Sequence, residues 1–261
     1  MSVFTDVAAE GILLAGGGRA ILLQIADSAV GAGVARHSDF ANRPLDRLTN
    51  TVTYAYATVF ATDAERAAIV EKVNRAHRPV VSAGDATTPA YSAFDPASQL
   101  WVAATLYESA LGVYERVFGP LCPELAESVY QQYSVLGTAL QVRRSSWPTD
   151  LAAFRRYWND AVSALVVSDD ARRVAHDLLH PRVAPIWLRA VMPVVRLFTI
   201  GLLPAELRVA FRLPWNRWAE RRFALVFGAV ALVYRALPRN VRSLPMRHYL
   251  SRMRSGMVKT N

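Results

Sequence analysis

The chain holds one cysteine, Cys122, in 261 residues. That excludes an intramolecular disulfide and any metal or cluster site built from several thiolates. Asn-Gly and Asp-Gly pairs are absent, so the tight hairpins that punctuate a β protein are not signalled. A clean apolar run of the roughly 20 residues that a membrane-spanning helix needs is also missing. The segment APIWLRAVMPVVRLFTIGLL is interrupted by Arg189, Pro193 and Arg196, and FALVFGAVALVY is apolar for only 12 residues. Both read as buried core helices, with a peripheral contact to anionic lipid as the alternative because arginines flank them. MSVFTDVAAEG has no basic stretch ahead of an apolar run. A reducing, cytoplasmic setting is therefore expected, peripheral to the inner membrane face if the lipid contact holds. Acids are scarce at the far end: Glu206 and Glu220 stand against 15 basic residues between Arg182 and Asn261. The net charge of +9 thus belongs to residues 182–261, and the rest of the chain is mildly acidic. Nucleic acid ranks low as a partner, since those arginines are spread among apolar residues rather than clustered with aromatics.

What the chain does have is helix signal. With 52% hydrophobic and 20% charged residues it can bury a sizeable core, and one domain over 1–261 is the simplest division. Apolar residues recur at spacings of three and four in alanine-rich stretches. The pattern predicts helices near 5–14, 18–34, 45–60, 63–77, 96–118, 123–137, 150–165, 169–178, 184–202, 204–211, 215–236 and 243–253. Breaks are expected at Gly16–Gly18, Pro44, residues 78–95 and five later prolines. The fold class expected is all-α.

Three stretches could carry chemistry. In TDAERAAIVEKVNRAH, Thr62 or Asp63 suits the N-cap and Glu65 completes a capping box with Thr62. Steps of four back from His77 reach Val73 and Ile69, so the imidazole shares an apolar face, whereas Glu71 and Lys72 lie elsewhere and can stay wet. Such a histidine is either a satisfied core residue or a metal ligand. In RPLDRLTNTVTYAY, Arg47, Asn50, Thr51 and Tyr54 fall at i, i+3, i+4 and i+7 on one helix face. That face is either solvated or a set of donors over a bound group. GGGRAILLQIADSAVGAGVARHSDF lacks the Gly-Lys-Ser/Thr ending of a phosphate loop and has no preceding strand. It reads as a tight turn between packed helices, with His37 at the following helix end as a loop cap or a contact to a cofactor carboxylate.

The ordered set GGGRAILLQIA…GVARHSDF, RLTNT, VNRAH and YSAFDPASQLWVAATL resembles the MpaB-like oxygenase domain, the family that includes latex clearing protein (rubber oxygenase). The likeness runs from about Gly16 to Tyr157 and more loosely through the basic C-terminal helices. The resemblance implies an all-α, globin-like domain enclosing an apolar pocket for haem b. Its H-x-x-V histidine, the proximal iron ligand, is His77 here, followed by Val80. The family's distal arginine and threonine fall on Arg47 and Thr51. Latex clearing proteins carry a lysine just before that threonine. This chain has Asn50, which offers iron no amine, so rubber cleavage does not transfer with the fold. Given that reading, Asn50 and Tyr54 join the distal donors, and His37, Arg19 and Arg43 are put forward as partners of haem propionates. Asp95 before Pro96 suits an N-cap; Trp101, a turn and a half on, is structural or packs on a cofactor edge.

Other polar groups rank lower. His176 and His180 are four apart but have no HExxH setting, and Cys122 has no evident base and is expected to be at least half-buried. The function expected is a haem-dependent oxygenase or related oxidoreductase taking O2 and an apolar small molecule. Oxidative cleavage of a C=C bond is the family's reaction, with hydroxylation or peroxide-driven oxidation open. The competing reading is a non-catalytic helical protein whose arginine-rich last third meets a membrane surface or a partner.

Overall fold

The computed structural model of the chain describes residues 3–38, 44–86, 88–181, 183 and 185–258. Among them the fold is all-α apart from one short antiparallel ladder. The first half comprises α1 (Val3–Ala8), a 3-10 segment (Gly11–Gly16), α2 (Gly17–Ala26), α3 (Ser28–His37), α4 (Pro44–Phe60), α5 (Asp63–His77), β1 (Val81–Ser82), β2 (Tyr91–Ser92) and α6 (Pro96–Phe118). There follow α7 (Pro123–Tyr133), α8 (Val135–Thr138), α9 (Leu151–Ser163), α10 (Asp169–Leu179), α11 (Ile186–Leu202), α12 (Ala205–Ala210), α13 (Arg217–Ala236), α14 (Arg239–Arg242) and α15 (Leu244–Val258).

Local chemistry sets several of these boundaries. Thr62 accepts from the Glu65 amide while the Glu65 carboxylate accepts from the Thr62 amide, so α5 opens on the expected capping box. Asp95 accepts from the Ser98 amide at 2.8 Å and Pro96 takes the first helical position, which starts α6 where the sequence placed it. The single helix expected over 18–34 is instead two. Asp27 turns extended and accepts from the Val30 amide at 2.9 Å, capping α3 and sending it off at 109° from the preceding segment. The loop expected over 78–95 contains the ladder, with Val81 opposite Ser92 and Ser82 opposite Tyr91.

The 23-residue α6 is the axis of the packing. The 3-10 segment, α2, α8 and α13 lie against it, and α2 also meets α3, α10 and α11. The glycine run makes these approaches close instead of forming a turn. A Cβ on Gly16 would sit 2.8 Å from the Ser109 carbonyl oxygen, and one on Gly18 would sit 2.0 Å from Thr199 Oγ1. Leu22, Leu23 and Ile25 of α2 are wholly buried, each stabilising the fold by about 1.5–3 kcal/mol. A second cluster gathers Tyr107 edge-on against Tyr130 and Phe154, with ring centroids 5.3 and 5.0 Å apart. Among the described residues no single helix is long and apolar enough to cross a membrane.

Candidate active site

Helices α4 and α5 pack on each other, and with α3, α6, α8 and the ladder they enclose a cavity of about 490 Å³. That lies within the roughly 300–1,000 Å³ of small-molecule and cofactor sites. Its floor is buried side chain, including Val34, Tyr54, Ile69, Gln99, Ala103 and Leu136, and its mouth is marked by exposed His37, Asp46, Asn50, Lys72 and Ala76.

Both sequence-derived helix faces meet in this cavity. From α5 come Ile69, Val73 and His77, four residues apart along one face. The His77 ring stands edge-on to Phe94, centroids 6.2 Å apart. Its Nδ1 is buried and, among the described residues, has no hydrogen-bond partner. Burial first, and the charge of Arg47 second, push the imidazole below its usual value, so it is neutral at pH 7. The carbonyl of His77 accepts from the Val80 amide at 2.9 Å, turning the chain into β1 just after the ring.

From α4 come Arg47, Asn50, Thr51 and Tyr54. Arg47 is half-buried and donates to Ser38 Oγ at 3.3 Å. Among the described residues it has no carboxylate partner. Burial pushes it down to about 10, which still leaves a protonated guanidinium at neutral pH. Tyr54 presents its ring, but its hydroxyl donates to the Leu136 carbonyl at 2.6 Å, so that proton is committed to the fold. Burial pushes this phenol up to about 12. His37 lines the mouth and shares a 3.2 Å hydrogen bond with the Tyr91 hydroxyl, tying the end of α3 to β2.

Two of the proposed residues lie elsewhere. Arg19 does not line the cavity: it donates to Ser109 Oγ at 3.1 Å and pairs with Glu108 at 3.7 Å, against the face of Trp158. Trp101 is buried in the core, donating to the Leu23 carbonyl at 3.2 Å and stacked on Trp158 at 5.3 Å. The structural reading of that residue is the one that fits. Arg43 lies outside the described residues. Lys72, off the apolar stripe of α5 and exposed as expected, also reaches the mouth. Cys122 is exposed, not half-buried, and His176 and His180 stack on each other at the surface. Among the described residues no three His, Cys, Asp or Glu side chains form a metal-binding group.

A polar relay that sequence reasoning missed holds the α5 wall in place. The Gln99 amide donates to the Ala93 carbonyl and to Gln141 Oε1, and its own oxygen accepts from the Gln141 amide. Gln141 in turn donates to Asn74 Oδ1 at 3.1 Å. This chain links α6, the segment after β2 and the last turn of α5, one turn from His77. No local spacing announces it, because Gln99 and Gln141 are 42 residues apart and Gln141 and Asn74 are 67 apart.

One all-α scaffold thus brings a neutral imidazole and a protonated guanidinium without a described carboxylate partner to the same cavity. The chain belongs to the family described as ER-bound oxygenase mpaB/B'/Rubber oxygenase, catalytic domain, whose model matches residues 5–236. That match extends beyond the stretch where the sequence motifs lie, through α13. Two mycobacterial relatives are similar: Uncharacterized protein Rv2237 of Mycobacterium tuberculosis and Uncharacterized protein Mb2261 of Mycobacterium bovis. Each is 35% identical over 239 residues, covering 90% of this chain and 93% of the relative. No solved structure matches the chain.

Proposed function

We propose that this oxygenase-family chain binds haem b through His77 and acts on an apolar small molecule with O2, the α4 donors Arg47, Thr51 and Asn50 forming the distal side. The observation that carries the reading is the orphaned His77 Nδ1 in the cavity wall. A buried polar atom left unpaired costs about 1–3 kcal/mol, and a neutral imidazole with a free nitrogen is what iron ligation needs. When bound, the haem supplies the iron-centred oxygen chemistry.

The chain's own residues do the rest. Val73, Val80, Val102 and Leu106 line the cavity and keep water out. Lys72 and His37, at the mouth, suit the carboxylates of an amphipathic cofactor. Arg47 stays protonated in a water-poor wall, where a fixed cation stabilises negative charge developing on a reacting oxygen far better than it would in water. Thr51, one turn along α4, holds a proton or an ordered water beside it. Asn50 is neutral and cannot occupy an iron site as an amine.

An apolar substrate suits the walls and a smaller neighbouring cavity of about 110 Å³. That chamber is lined by Leu14, Val52, Ala55 and Ala110, and it shares Thr51, Leu106 and Leu136 with the main cavity. The reaction we propose is oxidation of that substrate by O2, with C=C cleavage, hydroxylation and peroxide-driven oxidation as the outcomes to be told apart.

The test is oxygen uptake by haem-loaded protein offered a panel of apolar alkenes. Arg47→Ala is expected to keep its haem and lose turnover by about 10²-fold, the usual effect of removing one preorganised donor. Unchanged uptake in that variant would contradict the assignment.

A further inference from the structure

The two apolar segments near the C-terminal end, expected as buried core, are buried on one side only. In α13, Phe223, Phe227 and Ala231 pack inward with Phe198 of α11. The other side carries Trp218, Leu225 and Leu232, exposed at 76, 74 and 70% and spaced seven residues apart, with exposed Ala229 and Ala236 between and beyond them. Neighbouring α11 repeats the pattern in its first half: Leu188 and Met192 are buried while Trp187, Val191 and Val194 are exposed at i, i+4 and i+7. Isolated exposed apolar residues are ordinary, but a periodic stripe of this size marks a surface that something covers.

The charges on these helices say what kind of cover fits. Arg217, Arg221, Arg222 and Arg235 of α13 are exposed, and among the described residues none has a carboxylate partner. The acid of α13, Glu220, is already engaged by Arg208 at 3.6 Å and by the Trp215 indole at 2.6 Å. A second copy packed on the same face would set arginine against arginine with no carboxylate between them. An anionic bilayer supplies both apolar depth and negative headgroups, and tryptophans favour that interface. The apolar stretch of α13 is too short to cross, so it would lie in the plane of the surface.

We propose that the exposed faces of α13 and α11 are a docking surface for anionic lipid bilayers, with Trp218, Leu225, Leu232 and Trp187 entering the headgroup boundary and the unpaired arginines meeting lipid phosphates. This stands apart from the haem reading and does not depend on it.

The full chain is sedimented with vesicles of phosphatidylglycerol and phosphatidylcholine, and with phosphatidylcholine alone, at low and high salt. Wild type is expected to pellet with the anionic vesicles, to be released by salt, and to stay in solution with the zwitterionic ones. Leu225→Glu/Leu232→Glu, at exposed positions, lowers the partition coefficient about a hundredfold. Arg221→Glu/Arg222→Glu lowers it about tenfold or more and keeps the test open if the first variant misfolds by circular dichroism. Equal wild-type recovery with and without anionic vesicles overturns the proposal, as does indifference to both substitutions. So does a wild-type dimer in vesicle-free solution that Leu225→Glu/Leu232→Glu dissolves, because a second copy would then be the cover.

Discussion

Replacing His77 with leucine separates a ligand-binding histidine from a core histidine without any cofactor present. In the fold the imidazole contributes an edge contact to Phe94 and one buried, unpartnered nitrogen. Losing the ring contact costs about 0.5–1.5 kcal/mol. Removing the orphaned nitrogen returns about 1–3 kcal/mol, and leucine adds apolar contact to Val73 and Val80 in the same wall. The cofactor-free variant is therefore expected to be more stable by about 1 kcal/mol, or roughly 2–4 °C in Tm for a chain of this size. The gain depends on pH with a definite sign. Burial holds the folded imidazole below its usual 6.5, so below that value the unfolded chain binds a proton that the folded one refuses. Wild type loses stability as the pH falls through and below 6.5, and His77→Leu does not. Thermal unfolding of both proteins at pH 8 and pH 5 reads the effect, and the variant's advantage should be larger at pH 5. A variant less stable by more than about 1 kcal/mol at pH 8, or a difference that ignores pH, would mean that His77 is bonded into the fold and is not a vacant ligand.

Gly18→Ala places a methyl 2.0 Å from Thr199 Oγ1 and should destabilise by about 1–3 kcal/mol in calorimetry; adding Thr199→Ala should recover part of that loss. Gln99→Leu strands the Ala93 carbonyl and the Gln141 amide. It should cost about 1–3 kcal/mol and speed hydrogen exchange in residues 91–93, whereas unchanged exchange would show that the relay does not hold that segment. Glu65 is held down to about 2, by the Arg254 guanidinium first and the Thr62 amide next. Its contribution to stability is complete above the usual carboxylate value and is lost as the pH falls towards 2. A titration of Glu65 by NMR near 4.5 would contradict the pairing of α5 with α15.

The helices were legible where a boundary is written locally. Thr62 with Glu65, and Asp95 with Pro96, carry their capping chemistry within four residues, and the ends of α5 and α6 fall where the pattern predicts. Asp27 carries the same kind of signal before Val30 and caps α3, but the apolar run on either side hides it from periodicity. The ladder had no tight-turn pair to announce it. Within the site, the two helix faces could be read because periodicity alone decides that His77 sits with Ile69 and Val73, and Arg47 with Thr51. Which charges those faces would meet could not be read. Arg19 found Glu108 instead of the cavity, and Lys72 reached the mouth although it lies off the apolar stripe, because long side chains are placed by tertiary contacts. The apolar segments of α11 and α13 supply core on one side, as expected, and an exposed stripe on the other, because hydropathy counts residues and not the side on which they stand.

Ligation of haem iron by His77 is tested by an absorption titration of the purified chain with haem b. Wild type should develop a Soret band that saturates at one haem per chain. His77→Ala should not, or should do so only when imidazole is added to replace the missing ring. A wild-type protein that binds no haem, or an alanine variant with the same spectrum and affinity as wild type, would contradict it.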